Sequence, residues 1–177
     1  MSLRSGIPAA LALTAALLAG CAGSKGKLAP YTGSDSIMSS DPAAKQVTLN
    51  LVGAESNASS GFNFNGYANG NLVIRVPEGW TVAVNLTVDS DTPHSVLVTP
   101  WSERLAKTFT PAFPQAETPD YSAGIAKGQP SQHFSFVADK AGQYALVCGV
   151  PSHDVAGMWD ELDVVSGSAA PEVLVRG

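Results

Sequence analysis

The chain has 177 residues, a length that suits one ordinary domain once processed or flexible segments are set aside. It is 45% hydrophobic and only 14% charged, and its 17 glycines and 12 prolines favour many short strands joined by turns over long helices. A net charge of −5 and ten scattered Lys and Arg residues exclude the basic stripe that nucleic-acid binding requires, so we expect no nucleic-acid partner.

The N-terminus is typical of an export signal. Arg4 supplies positive charge, and residues 7–19 form an apolar stretch too short to span a bilayer as a helix of the mature protein. The stretch ends in LAGC at residues 18–21, which resembles the bacterial lipobox. We therefore expect residues 1–20 to be removed and Cys21 to carry acyl chains that anchor the protein to a bacterial cell membrane, with a periplasmic or cell-surface domain. An ordinary secretory signal, with Cys21 incidental, is the alternative.

The flanking segments differ in composition from the centre. Residues up to 45 are rich in Gly, Ser, Lys, Asp and Pro without hydrophobic periodicity, which predicts a flexible tether over residues 21–45. The last residues, 167–177, are predicted to form a C-terminal tail. A single domain is expected over residues 46–166, a length adequate for a β-sandwich core.

Alternating apolar residues predict the strands of this domain. The clearest strand runs from Trp80 to Val88, where Val82, Val84 and Leu86 share one face. Weaker strands are predicted at residues 47–52, 62–64, 72–76, 94–99, 133–137, 143–148 and 162–165. Gly, Pro, Asn and Asp turns separate them. Seven or eight short strands predict an all-β, two-sheet sandwich.

Residues 100–129 do not follow this pattern. They contain four prolines and no sustained alternation, which predicts a long loop with, at most, a short helix over residues 102–108. Loops of this length in compact domains are often functional. The loop could shield a site or form a docking face, and the sequence leaves both open.

Cys148 is the first candidate functional residue. The chain has two cysteines, and the lipid anchor uses Cys21, so Cys148 has no disulfide partner. An unpaired thiol in an exported protein needs protection by burial or by a metal. Cys148, His153 and Met158 form a Cys-x4-His-x4-Met pattern after an apolar strand. Two imidazoles, a thiolate and a distant thioether define the blue-copper electron-transfer site, so a second histidine is required.

The second histidine is either His94 or His133, since the chain has only three. His94 follows Pro93 at the start of a predicted strand, where the rigid proline fixes the approach of the backbone. His133 alternates with Phe134, which predicts a side chain that faces solvent. We therefore favour His94.

Three blocks of the sequence resemble the cupredoxins, and among them the sulfocyanins. They span most of residues 47–165 and comprise FNFNG at 62–66 followed by Gly70, Pro93-His94-Ser95, and CGVPSH at 148–153 with Gly157-Met158-Trp159. One departure is Ser152, where the family pattern leads us to expect glycine before the loop histidine.

The resemblance implies a Greek-key β-sandwich with one type 1 copper per chain. It implies that electrons pass through the exposed edge of His153 to transient redox protein partners. Ser95, Pro151 and Trp159 are expected to support the ligands: Pro151 has no N–H and stiffens the loop, and Trp159 belongs to an apolar shell that favours Cu(I). We expect a monomer.

These residues also have other interpretations. A lone buried cysteine or methionine usually belongs to the core. Structural zinc normally takes four Cys or His ligands. A multicopper enzyme needs more histidines than the three present, so an enzyme is not expected. A copper carrier without a redox role remains the alternative function.

Overall fold

The computed structural model describes residues 26–34, 36–167 and 169–177, and the predicted signal peptide and Cys21 lie outside the described residues. Within those ranges the chain forms strands and two short 3-10 turns, at Ala58–Gly61 and Trp101–Glu103, with no α-helix. The all-β prediction is confirmed. The strands are β1 (Leu28–Pro30), β2 (Met38–Asp41), β3 (Gln46–Gly53), β4 (Leu72–Pro77), β5 (Thr81–Val88), β6 (Leu97–Pro100), β7 (Gln132–Val137), β8 (Gly142–Val147), β9 (Trp159–Val165) and β10 (Glu172–Arg176).

The strands form two sheets that pack face to face. The larger sheet has the order β1-β10-β4-β9-β8-β6, and the smaller has the order β2-β3-β5-β7. Two pairs are parallel, β3 with β5 and β4 with β9, and the other paired strands are antiparallel. One continuous core contains buried side chains of both sheets, among them Leu49, Val84, Ile74 and Leu146. The fold is therefore a sandwich, as the turn spacing predicted.

Strand β5 shows why alternating apolar residues predict a strand correctly. Val82, Val84 and Leu86 are fully buried, whereas Ala83 and Asn85 between them are only partly covered. Successive side chains of a strand point to opposite faces, so one apolar face is buried against the other sheet.

The C-terminal segment differs from the prediction of a tail. Residues Glu172–Arg176 form β10, which lies between β1 and β4 in the larger sheet. The Arg176 guanidinium pairs with the buried Glu161 carboxylate, and its Nε donates to the carbonyl of Gly70 at 3.0 Å. The segment predicted to be a flexible tether, residues 21–45, also contributes strands. Strand β1 pairs with β10, and β2 pairs with β3. Short strands carry too few residues to show periodicity, and only their distant partners reveal them.

The long loop between β6 and β7 covers an edge of the larger sheet. Its residues 102–108 form no helix beyond the turn at Trp101–Glu103. The N–H groups of Ala112 and Thr118 donate to the carbonyls of Val98 and Val96, at 2.8 and 3.0 Å. These bonds satisfy the open edge of β6, which would otherwise attract other strands.

Two further predicted strands are shorter than expected. Residues 62–64 make only isolated bridges through Phe64, and β6 begins at Leu97 rather than at His94. The two places lie close together, since the ring centroids of Phe62 and His94 are 6.3 Å apart. No helix in the described ranges is long and apolar enough to cross a membrane.

Candidate metal centre

The candidate ligands lie at one end of three adjacent strands. His94 precedes β6, Cys148 directly follows β8, and Met158 directly precedes β9. Strand β8 pairs with both β6 and β9, so the three strand ends are neighbours. The topology therefore brings together residues that are more than 50 positions apart in the sequence.

Three of the four candidate ligands form a compact group. One donor atom each of His94, Cys148 and His153 lies within 4.8 Å of the others. The Cys148 Sγ is 3.4 Å from the His153 Nδ1, and the two imidazole centroids are 4.9 Å apart. All three side chains are buried. A thiolate and two imidazoles in contact are a donor set that suits copper.

The Nδ1 atom of His94 tests whether these residues fit a metal. It is buried and has no hydrogen-bond partner, although buried polar atoms in proteins almost always have one. An unsatisfied buried nitrogen costs about 1–3 kcal/mol unless another group binds it. A metal ion bound through Nδ1, beside Cys148 and His153, would satisfy that nitrogen, so the residues present fit copper.

Met158 closes the loop that carries Cys148 and His153. It is fully buried in the same core cluster as Cys148. Its carbonyl accepts a hydrogen bond from the Cys148 N–H at 3.0 Å, and its N–H donates to the His153 carbonyl at 2.9 Å. Gly157 precedes it with a φ of 98°, and a Cβ there would lie 2.6 Å from the Asn69 side chain. These hydrogen bonds and the close approach of Asn69 restrict the conformation of the loop.

Ser95 links the His94 segment to the Cys148 loop. It is fully buried, and its N–H donates to the Cys148 Sγ at 3.4 Å. Its Oγ lies 3.8 Å from the same sulfur and accepts a hydrogen bond from the Gly149 N–H at 2.9 Å. Hydrogen bonds to a thiolate stabilise its negative charge. Ser95 therefore contacts both the sulfur of Cys148 and the backbone of the residue after it.

Burial sets the protonation of the site. Desolvation, followed by the charge of His153, lowers the pKa of His94 to about 4, and desolvation also lowers the pKa of His153. Burial raises the pKa of the Cys148 thiol, although the Ser95 N–H acts in the opposite direction. Both imidazoles are therefore neutral and ready to bind a metal at neutral pH. Metal binding would release the thiol proton.

His133 lies apart from this group. It is exposed on β7, with its Nδ1 2.8 Å from the Asn85 Oδ1 and its Nε2 3.0 Å from the Ser131 Oγ. Both ring nitrogens therefore have partners. Among the described residues, the group that could hold a metal contains His94 and not His133.

Trp159 does not line the candidate site as the sequence analysis expected. It packs with Leu97 and Val147 in a second apolar cluster, separate from the cluster that contains Cys148 and Met158. Adjacent strand residues point to opposite faces, so burying Met158 turns Trp159 away. Its carbonyl accepts a hydrogen bond from the Gly70 N–H at 2.9 Å. Pro151 is exposed in the turn between Cys148 and His153.

Sequence reasoning missed the residue that contacts both imidazoles. The Phe62 ring packs edge-on against His153 and His94, with centroid distances of 4.8 and 6.3 Å. The sequence predicted only a short strand over residues 62–64. The signal that could have found it was its place in the FNFNG block, one of the three blocks of the resemblance.

The two-sheet sandwich and the Cys-x4-His-x4-Met loop beside an upstream histidine define a cupredoxin. The chain belongs to the sulfocyanin family, whose domain, described as "Sulfocyanin (SoxE) domain", matches residues 33–175. It is 32% identical over 143 residues to sulfocyanin of Sulfolobus acidocaldarius, an alignment that covers 74% of this chain and 69% of that protein. The predicted resemblance is confirmed.

Solved structures share the fold. A blue copper oxidase from Nitrosomonas europaea has a TM-score of 0.52 at 24% identity, with 71% of this chain and 40% of that chain covered. Rusticyanin variants have a TM-score of 0.51 at 18% identity, with 77% and 86% covered. Membership of the sulfocyanin family makes the chain a blue copper electron-transfer protein rather than an enzyme.

Proposed function

We propose that this chain carries single electrons through one type 1 copper held by His94, Cys148, His153 and Met158. The observation that carries the proposal is the buried His94 side chain. Its Nδ1 has no hydrogen-bond partner, and one of its ring nitrogens lies within 4.8 Å of the Cys148 sulfur and a His153 ring nitrogen. Copper bound there supplies a one-electron Cu(I)/Cu(II) couple.

The protein contributes a rigid ligand frame. His94 is held by reciprocal backbone hydrogen bonds with Ile125, both 2.8 Å long, and Cys148 and Met158 are joined by a 3.0 Å backbone bond. Electron transfer is fast when the ligands move little between the two oxidation states. A frame of this kind, built from strand ends and a closed loop, limits such movement.

Electrons leave and arrive beside His153. This ligand retains 8% of its surface exposure, compared with 1% for His94 and none for Cys148 and Met158. Val155, in the same loop, is 71% exposed and offers apolar surface around it. We infer that redox proteins dock transiently at this end of the sandwich. Transient redox encounters bury little surface, so a small exposed patch is sufficient.

The full-length chain in detergent, loaded with Cu(II), tests the electron-transfer proposal. An intense blue or blue-green absorption, a type 1 electron paramagnetic resonance spectrum and reversible reduction are expected at one copper per chain. Colourless or irreversible binding would contradict the proposal and favour a copper carrier. The near-complete burial of the ligands argues against a carrier, because metal transfer needs open ligands.

We further propose that Cys21 is lipidated and that the domain is tethered to the membrane of the cell that exports it. The support is the LAGC sequence at the end of an apolar stretch. In the source organism, wild-type protein should sediment with membranes and the Cys21→Ser variant should not. Intact-mass analysis should show acyl chains on the wild type only. Equal sedimentation of both proteins, or an unmodified mass, would refute the anchor.

A further inference from the structure

We propose that Phe62 is a cap over the two histidine ligands and that Asn63 is the residue that positions it. The cap would exclude water and small reagents from the ligand group. This inference rests on the proposed copper site and adds a positioning role to residues that are not ligands.

Phe62 occupies the place that a cap requires. Its ring lies edge-on to His153, at 4.8 Å and an interplanar angle of 70°, and also edge-on to His94, at 6.3 Å and 78°. The ring is partly buried and packs against the main core cluster. One aromatic side chain thus contacts both imidazoles at the boundary between core and solvent. Aromatic pairs prefer such edge-on arrangements, which hold all three rings in place.

Asn63 fixes the loop from which Phe62 projects. Its side chain is fully buried, and its Nδ2 donates to the carbonyls of Ser56 and Ala58, both at 2.8 Å. Its Oδ1 accepts a hydrogen bond from the Gly66 N–H at 3.0 Å. Both donors and the acceptor of the amide are therefore used inside one short loop. A buried polar group with all its partners present specifies a single backbone conformation.

The next two residues attach this loop to the sandwich. Phe64 is buried in the core, and the Asn65 Oδ1 accepts a hydrogen bond from the Val52 N–H of β3 at 3.2 Å. The Asn65 Nδ2 donates to the Asn50 carbonyl at 3.3 Å. Strand β3 itself ends against the site, since a Cβ on Gly53 would lie 3.1 Å from the His94 Cβ. The FNFNG block therefore ties Phe62 to the strand that borders His94.

The backbone of the loop is strained in a way that supports a positioning role. Ser59 and Ser60 have φ values of 47° and 56°, and Asn65 has a φ of 50°. Left-handed conformations at non-glycine residues persist only where surrounding contacts hold them, and they concentrate at functional sites. Here the Asn63 amide and the attachment to β3 supply those contacts. Together, the Asn63 amide and the attachment to β3 set the position of the Phe62 ring.

The test compares Phe62→Ala with Phe134→Ala in the full-length protein. Phe134 is the matched control, because it is also partly buried against the main core but lies on the smaller sheet. The first readout needs no metal: iodoacetamide alkylation of Cys148 in the metal-free protein, followed by peptide mass spectrometry that separates the Cys148 peptide from the Cys21 peptide. The Phe62→Ala variant should react at least about tenfold faster than wild type, and Phe134→Ala should react like wild type.

The second readout uses the copper-loaded proteins. Sodium azide should alter the visible absorption band of the Phe62→Ala variant at concentrations that leave the wild type and Phe134→Ala unchanged. An Asn63→Ala variant should respond in the same direction, because it keeps the Phe62 ring but releases the loop. Equal alkylation rates and equal azide responses in the two Phe→Ala variants would overturn the proposal.

Two further comparisons keep the test decisive. If Phe62→Ala does not fold by circular dichroism, Phe62→Leu against Phe134→Leu replaces it, with about a threefold increase in alkylation expected for the former alone. A wild-type protein without the visible band would refute the copper site while the alkylation assay still measured the cap. A wild-type band with no difference between variants would refute the cap and leave the copper site standing.

Discussion

The two sheets of the sandwich each carry a histidine, and the two side chains have opposite environments. His94, at the end of the larger sheet, is 1% exposed and its Nδ1 has no partner. His133, on the smaller sheet, is exposed and both its nitrogens have hydrogen-bonding neighbours. A nitrogen that folding removes from water without a partner is available for a metal, whereas a satisfied one is not. The environment of the nitrogen therefore distinguishes the two better than its place in the sequence.

The largest expected effect concerns the ligands at the end of the larger sheet. Substituting Cys148→Ser should abolish the intense visible absorption, because a serine hydroxyl cannot supply the copper–thiolate transition. The His94→Ala variant should also lose the band. Circular dichroism should show an intact fold in both. An unchanged visible spectrum in Cys148→Ser would end the assignment.

Met158 offers a graded test of the same site. Substituting Met158→Leu should retain the colour and raise the reduction potential, because the weak axial thioether favours Cu(II) and leucine cannot replace it. The expected shift in reduction potential is on the order of 59 mV, which corresponds to a tenfold change in a one-electron equilibrium. A redox titration measures this shift. Loss of copper would show that Met158 does more than tune the potential.

The contrast between the histidines predicts that the stability of the metal-free protein depends on pH. The pKa of His94 is about 4 in the folded state and 6.5 in the unfolded state. Between these values the unfolded state binds more protons, so the contribution of His94 to stability is complete above pH 6.5 and is lost as the pH falls toward 4.

Urea unfolding across this pH range should detect the effect as a difference between variants. The His94→Gln substitution should flatten the fall in stability. Burial raises the pKa of Asp160, and this carboxyl makes the free energy of unfolding fall as the pH rises. The informative quantity is therefore the difference between variants and not the pH profile of one protein. Identical pH profiles for wild type and His94→Gln would contradict the prediction.

Ser152 tests the strain in the ligand loop. Its φ is 73°, a conformation that favours glycine. Ser152→Gly should raise the free energy of unfolding by about 0.5–1 kcal/mol, because relief of the left-handed strain exceeds the entropy that glycine adds to the unfolded chain. Ser135→Gly in β7 is the control and should lower it by about the same amount, since β7 is extended. A loss of stability in Ser152→Gly would contradict the interpretation.

The smallest expected effect is at the other histidine. His133→Ala should leave copper stoichiometry, the visible spectrum and the reduction potential unchanged, since His133 lies on the exposed face of the smaller sheet. Its hydrogen bonds with Asn85 and Ser131 are exposed, so unfolding free energy should fall by no more than about 1 kcal/mol. Loss of copper in this variant would reverse the choice between His94 and His133.

The sequence by itself determined the all-β class, strand β5 and the Cys-x4-His-x4-Met loop. These features are local: alternation within Thr81–Val88 needs no partner to be seen, and ligands within one loop keep their spacing wherever the loop lies. The sequence also favoured His94 over His133 from neighbouring residues alone, and that ligand assignment stays a prediction.

Only the tertiary structure decided which distant residues meet. Strand β10 pairs with β4 across nearly the whole domain, as Glu172 opposite Arg75 shows, and no short-range pattern predicts such a pairing. The same holds for Phe62 over the two imidazoles and for Trp159 on the opposite face of the sheet from Met158. Contacts of this kind depend on strand order and register, which the folded chain sets as a whole.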